Sequence, residues 1–204
     1  MNRLPLITLG LCMLACGLAL LPVGVREALY FNYDQWGQGN WLGLVSGHWI
    51  HVDGQHLLWN VAALAVLGAM IEGKSRPLLL WSLFVGMAGV DLLLLSPLSN
   101  LMRYCGLSGL LNTLLGVALC ELWRDTRSRM VITIGLFWVV KIALEMQSGQ
   151  SLFTDISWPP FAPAHLAGAV GTPVALLLGH NARGGRAGVN NNKGAAHGYL
   201  VASE

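Results

Sequence analysis

Charged side chains are scarce. They make up 11% of the 204 residues, against roughly a quarter in an ordinary soluble domain, whereas 54% of the chain is hydrophobic. That shortage excludes water as the main solvent. Cysteine is too thinly spread to staple a fold: Cys12, Cys16, Cys105 and Cys120 lie in or beside apolar runs, without the spacings of a disulfide framework. There is no HExxH pair to mark a zinc hydrolase, and a net charge of only +2 gives no sign of a nucleic-acid partner. No cofactor is expected.

What the chain has instead is apolar length. The core of a bilayer is roughly 30 Å thick and takes about 20 apolar residues of helix. Six stretches approach that length: 4–25, 56–72, 77–96, 107–123, 130–146 and 162–179. They leave too little chain for a separate soluble domain. The expected fold class is therefore all-α, a polytopic membrane protein with a six-transmembrane-helix bundle over residues 1–180 and a flexible tail over 181–204. Met13 to Gly17 faintly resembles a lipoprotein cleavage box, but with five spans after it the first stretch reads as an uncleaved anchor. Nine Lys and Arg residues fall in segments on one side (Arg3, Lys74, Arg76, Arg124, Arg127, Arg129, Arg183, Arg186 and Lys193) and two, Arg26 and Arg103, on the other. By the positive-inside rule both termini are cytoplasmic, and the second, fourth and sixth spans run inward.

The longest connection, residues 26–55, mixes Trp36, Trp41 and Trp49 with glycines and polar residues, a composition suited to the outer headgroup region. It ends in His48, His51, Asp53 and His56, so a metal site is one reading of that cluster. Asp91 is a lone carboxylate near the outer end of the third span, which calls for a partner, a water cavity or a proton.

Ser108 stands where a loop becomes the fourth span, in Gly106-Leu107-Ser108-Gly109. Two readings compete. Ser108 caps free amides while the glycines permit close helix packing, or it is a nucleophile whose own amide sits at the positive end of a helix. His165 lies on the sixth span beside a small-residue stripe, Ala164, Gly168 and Thr172. His56 and Asn60 share a face of the second span, Asn60 about 6 Å deeper. Ser108, His165, His56 and Asn60 thus come from three inward-running spans and lie within about a turn and a half of the outer end. A hydroxyl with a nearby imidazole is the minimum for acyl transfer, and His56, Asn60 and the Ser108 amide would donate to the oxyanion. The sequence places no carboxylate convincingly against His165, so the expected site is a dyad. Lys141, four residues before Glu145 on the fifth span, is an alternative base or half of a local ion pair.

These motifs, Gly106 to Gly109, Ala164-His165 with Gly168, and His56-xxx-Asn60, together with Glu72 and Gly116, resemble the signature of rhomboid intramembrane serine proteases. The resemblance implies a rhomboid-like bundle with Ser108 as nucleophile, His165 as base, and His56 and Asn60 as oxyanion donors. Tyr104 to Gly109 and Lys141, Glu145 and Gly149 are most similar to rhombosortases. That implies cleavage of the C-terminal transmembrane sorting segment of exported proteins near a Gly-Gly motif, in a bacterial inner membrane, with the site opening to the periplasmic side. Partners would be membrane lipid and such clients. Two positions depart from the family pattern. Trp41 is followed by Leu42 rather than Arg, and Asn112 stands where a ring often supports the catalytic histidine. Asn112 is expected to accept a hydrogen bond from His165 in its place; Gly106, Lys141 and Glu145 are further candidates for support. The rival classes are a non-enzymatic rhomboid-like protein that binds client helices, a transport component, and a metal-dependent enzyme.

Overall fold

The computed structural model describes residues 4–150, 152 and 161–201. With inner and outer used in the sense expected from the Lys and Arg bias, helix α1 (Leu6–Ala19) leads into an outer segment of short elements: α2 (Val23–Ala28), β1 (Phe31–Asn32), α3 (Tyr33–Gly37), α4 (Leu42–Ser46) and a 3-10 turn at Gly47–Trp49. The rest is α5 (Gly54–Lys74), α6 (Arg76–Leu94), β2 (Arg103–Tyr104), α7 (Ser108–Thr126), α8 (Arg129–Ser148) and α9 (Ala162–Val201). The fold is helical as expected, apart from one addition: β1 and β2 pair antiparallel, Phe31 opposite Tyr104.

Among the described residues four helices are long and apolar enough to cross a membrane: α5, α6, α8 and residues Ala162–Ala182 of α9. The other two expected spans differ. Helix α1 has 14 residues, about 21 Å at 1.5 Å per residue, because the chain turns after Ala19 and Pro22 starts α2. Helix α7 carries Glu121, Arg124 and Asp125 in its inner end, which interrupts its apolar run. Residues 181–201, expected to be a flexible tail, continue α9 to Val201. No proline follows Pro173 there to forbid it.

Local chemistry sets the helix ends. Asp53 caps α5 by accepting from the His56 amide at 2.7 Å. Ser75 closes α5 and caps α6, accepting from the Leu78 amide at 3.2 Å, with Pro77 in the first turn, where no amide partner is required. Gly149, at φ +67, ends α8 in the left-handed conformation.

Lipid is as apolar as leucine, so burial alone does little to drive helix association, and small and polar residues hold the bundle. The most extensive interface joins α6 and α9, followed by α7 with α9. Helix α1 docks through Glu72 of α5, which accepts from the amides of Ile7 and Thr8 at 3.1 and 2.8 Å and from Thr8 Oγ1 at 2.9 Å. Gly68 leaves the room that Thr8 fills. At the inner end Glu121 of α7 receives Arg124 at 2.9 Å and His180 of α9 at 3.0 Å, while Lys74 of α5 pairs with Asp125. Helix α8 stands apart: only Val131, Ile142 and Glu145 are buried, and Leu136 and Phe137 face outward.

Candidate active site

The outer segment and the loop before α7 form one unit. Besides the β1–β2 pair, the Gly106 amide donates to the Gly47 carbonyl at 2.9 Å. Gly106 has φ +113, a conformation that disfavours side chains, and a Cβ there would lie 2.5 Å from His56 Cε1 and Nε2 and 3.6 Å from Asn60 Nδ2. The loop backbone therefore passes directly over the two α5 side chains picked out in the sequence. Both are buried, and each keeps one nitrogen, His56 Nδ1 and Asn60 Nδ2, without a partner.

Ser108 is the first residue of α7, and no side chain caps that helix start, so the capping reading does not describe it. Its side chain lies close to that of Tyr104. The Tyr104 hydroxyl donates to the Gly106 carbonyl at 3.1 Å. Burial raises the Tyr104 pKa, keeping the phenol neutral and able to donate.

Helices α7 and α9 meet backbone to backbone. A Cβ on Gly109 would lie 3.2 Å from the Ala164 carbonyl, one on Gly168 would collide with the Gly109 carbonyl, and one on Gly116 would collide with Thr172. Thr113 Oγ1 donates to the Gly168 carbonyl at 2.6 Å. The stripe of Ala164, Gly168 and Thr172 is thus the seam that brings His165 alongside Gly109 and its neighbour Ser108. Among the described residues no direct Ser108–His165 hydrogen bond is present. Such bonds often tighten only when substrate is bound.

Three expectations about side chains are corrected. The first concerns a carboxylate at His165. The fully buried Glu145 carboxylate is 2.9 Å from His165 Nδ1, and its second oxygen accepts from the Leu152 amide at 3.3 Å. The second concerns Lys141, which is not directed at Ser108: its ammonium donates to Glu145 Oε2 at 2.8 Å. The third concerns Asn112, whose oxygen accepts from Trp138 Nε1 at 2.7 Å while its amide donates to the Ser108 carbonyl at 2.8 Å. It is not bound to His165 because α8 presents the larger donor to that face of α7.

The outer histidines do separate things. His48 Nε2 pairs with Asp91 at 3.0 Å, which answers the question of Asp91, and its ring meets Tyr104 edge-on with centroids 5.5 Å apart. His51 packs edge-on against His56, centroids 4.9 Å apart. Burial, then the neighbouring His56, pushes His51 down to about 3, so it is a neutral packing ring at ordinary pH. Asp53 is used as a helix cap. Among the described residues no group of three His, Cys, Asp or Glu side chains converges as a metal site would require. Sequence reasoning passed over Tyr104 as a buried donor and Trp138 as the Asn112 partner. The signal for both was a polar-tipped ring beside a polar position in an otherwise apolar run.

No curated protein matches this chain. Residues 38–181 match the family model described as Rhomboid domain, a stretch that begins in the outer segment and ends on α9. It takes in the loop over His56 and Asn60, the α7–α9 seam and helices α5, α6 and α8, and it covers more than half of the chain. With that match, this multi-pass membrane protein belongs to the rhomboid family.

Proposed function

We propose that this protein is an intramembrane serine endopeptidase of the rhombosortase type, cleaving the C-terminal transmembrane sorting segment of exported proteins near a Gly-Gly motif. Ser108 is the nucleophile and His165 the base. His56, Asn60 and the Ser108 amide are the oxyanion donors. The observation that carries this reading is the passage of the Gly106 backbone over the buried side chains of His56 and Asn60, with His56 Nε2 and Asn60 Nδ2 nearest the loop that delivers Ser108.

In the reaction Ser108 Oγ attacks the scissile carbonyl carbon while His165 Nε2 takes the hydroxyl proton. The carbonyl oxygen becomes an oxyanion facing His56 and Asn60, and one such donor contributes about 10² to 10³ in rate. Collapse of the tetrahedral intermediate returns the proton to the leaving amine. Water then repeats the sequence on the acyl-enzyme and frees Ser108. In this reading the cleft lies in the outer leaflet of a bacterial inner membrane and opens to the periplasm, with both termini cytoplasmic, an orientation that the Lys and Arg bias supports.

Substrate choice follows from helix physics. A transmembrane helix must unwind before a peptide bond reaches Ser108, and glycines both weaken the helix and flank its start. A basic C-terminal end would hold the client with its Gly-Gly pair at the outer depth. Co-expression with such a client should yield a product shortened near that pair, read by mass spectrometry, and replacement of both glycines by leucine should block it. Cleavage indifferent to the glycines would defeat the sorting assignment. Binding of the client helix without cleavage and without Ser108 labelling by a fluorophosphonate would assign the protein to the non-enzymatic class.

A further inference from the structure

We propose that Glu145 is a positioning residue for His165, making the site a Ser108–His165–Glu145 triad in which the Lys141 ammonium meets the same carboxylate oxygen as the imidazole. The inference rests on the reading of Ser108 and His165 as nucleophile and base.

Helix α8 turns almost all of its surface outward, yet Glu145 is one of its three buried residues and is 0% exposed. A carboxylate so placed persists only if its partners compensate the lost hydration. Two donors meet one oxygen, His165 Nδ1 at 2.9 Å and Lys141 Nζ at 2.8 Å, and the Leu152 amide meets the other at 3.3 Å. Lysine four residues before glutamate is the weaker order for helix stabilisation alone. Lys141 is 23% exposed, whereas the carboxylate it meets is fully buried.

An ionised carboxylate can only accept hydrogen bonds. Nδ1 of His165 therefore carries the proton, and Nε2 keeps the lone pair that general-base catalysis needs. The family position often filled by a supporting ring is committed elsewhere, Asn112 to Trp138, so the support for His165 comes from α8. The other titratable groups near His165 do not duplicate this role. His56 faces it from α5, Asp91 of α6 is bound to His48, and Tyr104, before α7, stays neutral.

The test uses the full-length protein in detergent and the rate of Ser108 labelling by a fluorophosphonate from pH 5 to 9. In that reaction the Oγ–P bond forms, fluoride leaves, and the hydroxyl proton passes to His165 Nε2. Wild-type labelling should require Ser108 and His165 and should have an acid limb, as a reaction that needs a free general base does. Glu145→Gln should slow labelling by about 10² to 10⁴, as loss of the orienting carboxylate does in serine hydrolases. It should also move the acid limb, because a neutral amide replaces the charged partner of the imidazole. Glu145→Asp should recover part of the rate, and Lys141→Met should shift the rate in the same direction as Glu145→Gln by less. A purely structural Glu145 would lower thermal stability without moving the acid limb, and that result would overturn the proposal. So would Glu145→Gln labelling at the wild-type rate with the wild-type profile, which leaves the serine protease reading intact. Wild-type protein that fails to label at Ser108 would instead sink that reading, and the triad with it. If Glu145→Gln does not fold, the wild type still decides: a downfield Nδ1 proton resonance that disappears in His165→Ala is expected, and its absence overturns the proposal.

Discussion

The indole of Trp138 donates to the side-chain oxygen of Asn112 at 2.7 Å, and the amide of Asn112 donates to the Ser108 carbonyl at 2.8 Å. One side chain thus ties the loosely packed α8 to the first turn of α7. Trp138→Phe leaves the Asn112 oxygen without its partner and should cost about 1–3 kcal/mol, read as a lower melting temperature in detergent. Asn112→Leu should cost a similar amount, and the double variant should be little worse than either single one. Additive losses would show that the two residues stabilise the fold separately.

Gly106→Ala tests the loop over the oxyanion donors. A methyl group at φ +113, placed 2.5 Å from the His56 ring, must displace either the ring or the loop. We expect turnover to fall at least about tenfold, because a shift of an ångström at such a site has large rate effects, while the protein still inserts and folds. Wild-type turnover would mean that His56 is not needed where the structure holds it.

His56→Ala and Asn60→Ala should each lower kcat by about 10² to 10³ with little change in KM, since an oxyanion donor acts on the transition state. Steady-state kinetics on a purified client separates the two effects. A change confined to KM would reassign the residue to substrate positioning.

Ser108→Ala and His165→Ala should each abolish cleavage, and the double variant should be scarcely worse than either, because the two act as a unit. Losses that multiply across the three variants, measured in the same assay, would argue that Ser108 and His165 work independently.

His51 makes stability depend on pH. Its ordinary value of 6.5 falls to about 3 in the folded protein, so between these limits the unfolded chain binds more protons than the folded one. Stability therefore rises with pH through that window and levels off above 6.5, with a slope of up to about 1.4 kcal/mol per pH unit. Melting temperatures should fall as the buffer is taken from pH 7 to pH 4. His51→Phe keeps a ring against His56 and should flatten that dependence; an unchanged slope would assign it to other groups.

The membrane class and the helical architecture were legible in the sequence, because both are written in local order. Scarcity of charge and apolar length announce spans, and helical periodicity puts His56 and Asn60 on one face. Four-residue spacing reveals the seam of Ala164, Gly168 and Thr172. Hydropathy alone overestimated α1, since it cannot see that the chain turns before Pro22, and it could not predict that β1 and β2 would join the outer segment to the Ser108 loop.

What the tertiary structure decided is which face meets which neighbour. Periodicity places Lys141 beside Glu145, but the rotation of α8 about its own axis, set by Trp138 on Asn112 and by the packing of α9, determines whether that carboxylate reaches His165. Asp91 and His48 are 43 residues apart and meet only because the outer segment folds back over α6. Whether an isolated polar residue in a span is a strut, a cap or part of a reacting centre depends on a partner from another helix. Nothing in the order of residues along one helix records that partner.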